Sequence, residues 1–135
     1  MKRVALLFVV ACTFFVLLPT SAVMAVYPNC EVMYQKVSVV RNHYVNLYWD
    51  WLHTPGIPPQ IIVHTKIKVV SSSDKVVRAW AGDVLSDNGQ TNHVMNLLHF
   101  KCPWKKGKYR IQFWGVDADG DRAIQYPKVV GLTIK

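Results

Sequence analysis

Five histidines, His43, His53, His64, His93 and His99, are the residues of this chain best suited to move protons or ligate a metal, because imidazole titrates near neutrality. A small basic ribonuclease would set two such rings and a lysine around a phosphate, and His64 or His99 with Lys66 is the pair that would serve. Their surroundings argue otherwise. His64 falls on the polar side of an alternating segment beside Lys66 and Lys68, and the others fall in or near loops. There is no His-Glu-x-x-His and no paired-cysteine spacing, so a dedicated zinc site is not expected. Gly56, Gly82, Gly89 and Gly107 form neither a nucleophile elbow nor a phosphate loop. Asp117, Asp119 and Asp121 alternate as in a calcium loop, but Arg122 and Lys128 stand where such a loop needs glycine and a bidentate acid, so the segment reads as a hairpin turn. No catalytic residue, metal or cofactor is expected.

The elements that carry these residues belong to an exported chain. Lys2 and Arg3 precede an apolar run from Val4 to Leu18, and Val23-Met24-Ala25 offers small residues for a signal peptidase. A signal peptide over 1–25 is expected, leaving 26–135 as a single secreted domain; a membrane anchor is the competing reading, although the run is short against the ~20 residues a bilayer requires. Without Lys2 and Arg3 the 16 basic residues fall to 14 against 8 acidic, a net charge of about +6. Cys12 leaves with the signal, and in an oxidising compartment the remaining Cys30 and Cys102 most simply pair as a disulfide, the alternative being two independent buried thiols.

Turn residues fall between short apolar segments throughout the mature chain. Met33 to Val40 and Tyr44 to Leu52, separated by Arg41-Asn42-His43, predict a hairpin. Thr54 to Pro59 reads as a loop or edge, since proline cannot donate to a central ladder. Ile61, Val63, Thr65, Ile67 and Val69 alternate with Ile62, His64, Lys66 and Lys68 as a strand with one buried face does, Ser71 to Asp74 turns the chain, and Val76 to Ala81 returns. Asp83 to Asn92 reads as a polar loop carrying the turn signal Asp87-Asn88-Gly89, and Val94 to Phe100 fits a strand or a short helix, the strand being favoured. Tyr109, Ile111 and Phe113 share one face, Lys108, Arg110 and Gln112 the other, and Val130, Leu132 and Ile134 alternate again. Seven or eight short strands with no convincing helix predict an all-β, antiparallel, immunoglobulin-like sandwich with one disulfide. Most of Trp49, Trp51, Trp80, Trp104 and Trp114 should be core, while Trp114 directly after Phe113 and Trp51 opposite in phase to Leu52 mean that some of the five should point outward or into a cavity.

From Ile61 onward the chain resembles the ML lipid-recognition family. The matching pieces are the signal, Cys30, a two-strand unit ending in Asp83, Cys102-Pro103, Lys106-Gly107, and Gly107-x-Tyr109 leading to the acidic turn Asp117 to Gly120. It departs in lacking further cysteines, one of them where Ala123-Ile124 stands, and in running the Cys-Pro and Gly-x-Tyr strands together. The resemblance implies two splayed sheets admitting a lipid or other hydrophobic ligand, without catalysis, with Val63, Ile67, Trp80, Tyr109, Ile111 and Phe113 lining the gap. The alternative is that these six close-pack as an ordinary core. A Gly-x-Tyr strand before an acidic hairpin also closes many immunoglobulin-like domains.

The expected function is thus a secreted, non-catalytic binding protein: either a carrier of a hydrophobic ligand, or an immunoglobulin-like interaction protein such as an adhesion module or host-directed effector. Partners would be a lipid, a protein or an anionic membrane surface, with nucleic acid not expected. A continuous apolar cavity between the sheets would favour the carrier, and a packed interior with an exposed aromatic patch the interaction protein.

Overall fold

The computed structural model describes residues 29–52, 61–87, 95–117 and 126–135. The proposed signal segment, the Thr54 to Pro59 loop, His53, His93, the Asn88-Gly89 turn and Asp119 to Asp121 lie outside the described residues. The strands are β1 (Asn29–Val32), β2 (Lys36–Val39), β3 (Tyr44–Leu52), β4 (Ile62–Ser71), β5 (Val76–Leu85), β6 (Asn96–Lys101), β7 (Gly107–Asp117) and β8 (Lys128–Ile134). They form two sheets, one of order β1-β3-β6 and one of order β2-β8-β7-β4-β5. This strand order is that of an immunoglobulin-like sandwich.

The alternation read from the sequence places the core. Val45, Leu47, Trp49 and Trp51 of β3 point inward, facing Val63, Ile67 and Val69 of β4, Ile111 and Phe113 of β7, and Val130, Leu132 and Ile134 of β8. Rings cross between the sheets. Trp49 meets Phe113 at 5.3 Å between centroids, and Trp80 of β5 meets Phe100 of β6 at 5.2 Å. Trp51 is fully buried, as most of the tryptophans were expected to be, because Trp49 and Trp51 share the inward phase and Asp50 sits between them. Trp114 does take the outward phase of β7. The Gly-x-Tyr strand closes the sandwich as a tyrosine corner: the Tyr109 hydroxyl donates to the Lys105 carbonyl at 2.8 Å, just after Gly107 with its φ of 153°.

Four expectations are corrected. β2 and β3 do not form a hairpin, because the turn at Asn42, held at a φ of 67°, carries the chain from one sheet to the other. The sandwich is not wholly antiparallel, since β2 runs parallel to β8. β5 continues through Asp83 to Leu85, where a polar loop was expected, because Asp83 and Leu85 take the solvent-facing phase opposite His64 and Ile62. The disulfide is not formed.

The reason lies in the strand register. Cys30 pairs with Trp51 near one end of β3, whereas Cys102 donates its N–H to the His43 carbonyl beyond the other end. About eight positions at roughly 3.3 Å each separate those levels, and a disulfide needs Cα atoms within ~7 Å. Both are buried free thiols. Burial pushes the Cys30 thiol up to about 12, partly opposed by Lys128, and the Cys102 thiol up to about 11, partly opposed by Arg78.

Because these folded values lie above the ordinary 9.0, the stabilisation is complete below pH 9.0 and is lost as pH rises toward 11 and 12. Relative to a Cys30→Ala/Cys102→Ala chain, the wild type should lose stability more steeply above that pH, by up to ~1.4 kcal/mol per pH unit for each thiol. Urea midpoints measured across the alkaline range check this, and parallel pH profiles for the two chains would contradict it.

Candidate functional site: an exposed aromatic sheet face

The outward phase of β3 is Tyr44, Asn46 and Tyr48, two aromatics where a solvated sheet would carry charge. The strand order brings further apolar residues beside them. Leu97 of β6 lies directly opposite Tyr48, and on the other side Met33, one residue past β1, donates its N–H to the Tyr48 carbonyl. Met33, Tyr48 and Leu97 thus form a row across the whole three-stranded sheet, exposed by 56%, 42% and 50%. One step along, the Tyr44 ring stacks on His99 at 4.7 Å with planes 1° apart. His99 is held in turn by Nδ1, which hydrogen-bonds the Asn46 side-chain oxygen at 2.5 Å. The face therefore presents two aromatic rings, one of them pre-stacked, flanked by a leucine and a methionine. Tyr and Met are the residue types enriched at protein interfaces.

Charge differs along this face. At the Tyr44 end Lys101 lies opposite Tyr44, and Arg41 Nε reaches the Pro103 carbonyl at 3.2 Å, so the β2–β3 turn and the Lys105-Lys106 loop gather at a basic end. At the far end Glu31 pairs across from Asp50. Asp50 is buried, accepting from the Trp51 N–H at 2.8 Å and from Asn96 Nδ2 at 3.3 Å.

The two histidines considered for catalysis are not brought together, although His64 keeps Lys66 two positions along on the same outer face of β4. His64 lies on the outer face of the five-stranded sheet, its Nδ1 2.6 Å from Asp83 Oδ1, whereas His99 lies on the outer face of the other sheet. The packed layer between them is about 10 Å thick, so His99 and Lys66 cannot share a phosphate. Among the described residues no cluster of three or more His, Cys, Asp or Glu side chains is arranged to hold a metal.

The six residues expected to line a ligand gap divide in the same way. Val63, Ile67, Ile111 and Phe113 are core residues at 5% exposure or less, and Trp80 and Tyr109 pack against that core. Ile67 and Trp80 border an open cleft of about 180 Å³ beside β5, whereas Tyr109 borders a different surface cavity of about 290 Å³ near β2 and β8. Neither cavity contains all six. Sequence reading missed the aromatic face because Met33, Tyr48 and Leu97 are far apart in the chain; the alternation of Tyr44, Asn46 and Tyr48 was the available signal.

No protein-family model matches the chain, and no curated protein sequence matches it. Among solved structures it is similar to the fibronectin(III)-like modules of Clostridium thermocellum CbhA, at 15% identity and a TM-score of 0.46, over 79% of this chain and 97% of that one.

Proposed function

We propose that this chain is a secreted, non-catalytic interaction module that binds a protein partner through the outer face of its three-stranded sheet. The observation that carries the reading is the exposed Met33-Tyr48-Leu97 row beside the Tyr44-His99 stack. Contiguous apolar surface of this kind, rimmed by polar groups, marks protein contact sites. The fitting partner surface is apolar at its centre and acidic where it meets Lys101 and Arg41. A carrier of a hydrophobic ligand is the weaker reading, since the rings of Trp49 and Phe113 occupy the space between the sheets that a ligand would need.

A photo-crosslinking amino acid at Tyr48 should capture discrete secreted-protein partners, and a matched probe at Lys66 on the opposite face should not. Leu97→Glu should abolish capture at Tyr48 while leaving the thermal midpoint within about 2 °C, as surface substitutions usually do. Equal capture from both faces, or a lipid carried through purification in native mass spectra, would overturn the reading.

A further inference from the structure

The free edges of the two sheets are not alike. β1 and β2 are four residues each, and β6 is six residues with Lys101 at its end. Short or lysine-bearing edges resist pairing with other chains. β5 is ten residues long and contains neither lysine nor proline, and among the described residues no strand lies beyond it. The residues beside Trp80 on it are small. Ala79 and Ala81 take the outer phase, and Gly82 the inner one beside Trp80. A Cβ added at Gly82 would meet nothing within 4 Å, and the cleft lined by Trp49, Ile67 and Val84 opens next to it. Glycine inside a strand weakens it and commonly marks the close approach of another backbone.

We infer that β5 is a self-association edge, at which a second copy of this chain pairs antiparallel about a twofold axis through Ala81. A two-fold ladder that keeps each sheet face continuous must pair residues of the same phase. Centred on Ala81, it sets Trp80 of each copy opposite Gly82 of the other, so that the ring covers the glycine on the inner face. On the outer face Ala79 meets Asp83. Centring on Trp80 would instead oppose the two indoles. Charge selects the antiparallel sense, because it brings the Lys75-Arg78 end of one strand to the Asp83 end of the other, whereas a parallel pair would oppose like charges. Edge addition buries little area, so the pair is a reversible dimer formed at high concentration. It leaves the aromatic face free.

Sedimentation of the purified protein over rising concentration tests this. The mass should climb from one chain toward two, and Ala81→Lys, which sets two ammonium groups face to face on the axis, should hold it at one chain. Oxidation should link Ala81→Cys chains into a covalent dimer, since residues paired across the axis lie within disulfide reach. Ala79→Cys chains, offset from their own copy along the ladder, should stay unlinked, and the buried native thiols stay out of the reaction. Leu97→Glu should dimerise as the wild type does, which separates this test from that of the aromatic face. A single-chain mass at every concentration, a dimer that survives Ala81→Lys, or equal linking at Ala79 and Ala81 would each overturn the inference. Should Ala81→Lys fail to fold, the two cysteine chains decide.

Discussion

Phe113→Ala is expected to lower the stability of this domain by about 3–5 kcal/mol, a large part of the roughly 5–15 kcal/mol that holds a domain folded. Phe113 has no solvent exposure and sits on β7, the central strand of the five-stranded sheet. Its ring packs at 5.3 Å on Trp49 of β3, the central strand of the other sheet. Removing it therefore leaves a void at the middle of the sandwich, where neither sheet can collapse without disturbing its own ladder. Leu97→Ala on the exposed face should cost within about 0.5 kcal/mol of nothing by comparison. Urea denaturation followed by tryptophan fluorescence measures both. A Phe113→Ala loss below about 1 kcal/mol would mean that the sheets are splayed and the interior is not close-packed, which would revive the ligand-carrier reading.

Gly115→Ala is expected to cost about 1–3 kcal/mol through overpacking. A Cβ at Gly115 would stand 2.7 Å from both Cζ2 and Cη2 of Trp51 and 2.8 Å from Cγ1 of Val63. The indole cannot retreat. It is fully buried, and its Nε1 donates to the Thr65 hydroxyl at 2.8 Å, which in turn donates to the Val63 carbonyl at 3.2 Å. Trp51→Phe removes the two ring atoms in the way, so the double variant should be more stable than the sum of the single losses predicts, by about 1 kcal/mol or more of coupling. Chemical denaturation of the four chains closes the cycle. Strictly additive losses would show that Trp51 is not the group Gly115 accommodates.

Gly115 also shows where sequence reading stops. Alternation along β7 identified Tyr109, Ile111 and Phe113 as one face, and nothing in that pattern distinguishes Gly115 from any other small residue. Its role comes from Trp51, which lies far off in the chain and in the other sheet. The disulfide failed as an expectation for the same reason. Two cysteines in a chain expected to be exported are a sound compositional argument for a bridge, but their levels on β3 are a matter of register, and register is not written in either cysteine's neighbours. The misplaced hairpin at Arg41-Asn42-His43 has a related cause, since local sequence marks a turn without saying whether it stays in one sheet.

By itself the sequence determined the all-β class, most of the strands and most of the core from Val63 to Ile134, because a period of two fixes which side chains leave water; it marked neither β1 nor the end of β5. It also determined that His64 would face solvent beside Lys66 and Lys68. The tertiary structure alone decided which strands are neighbours. That choice parted His64 from His99, kept Cys30 from Cys102, and assembled Met33, Tyr48 and Leu97 into one row. Such adjacencies depend on contacts between distant segments, and each face of a strand looks the same in sequence whichever partner lies beside it.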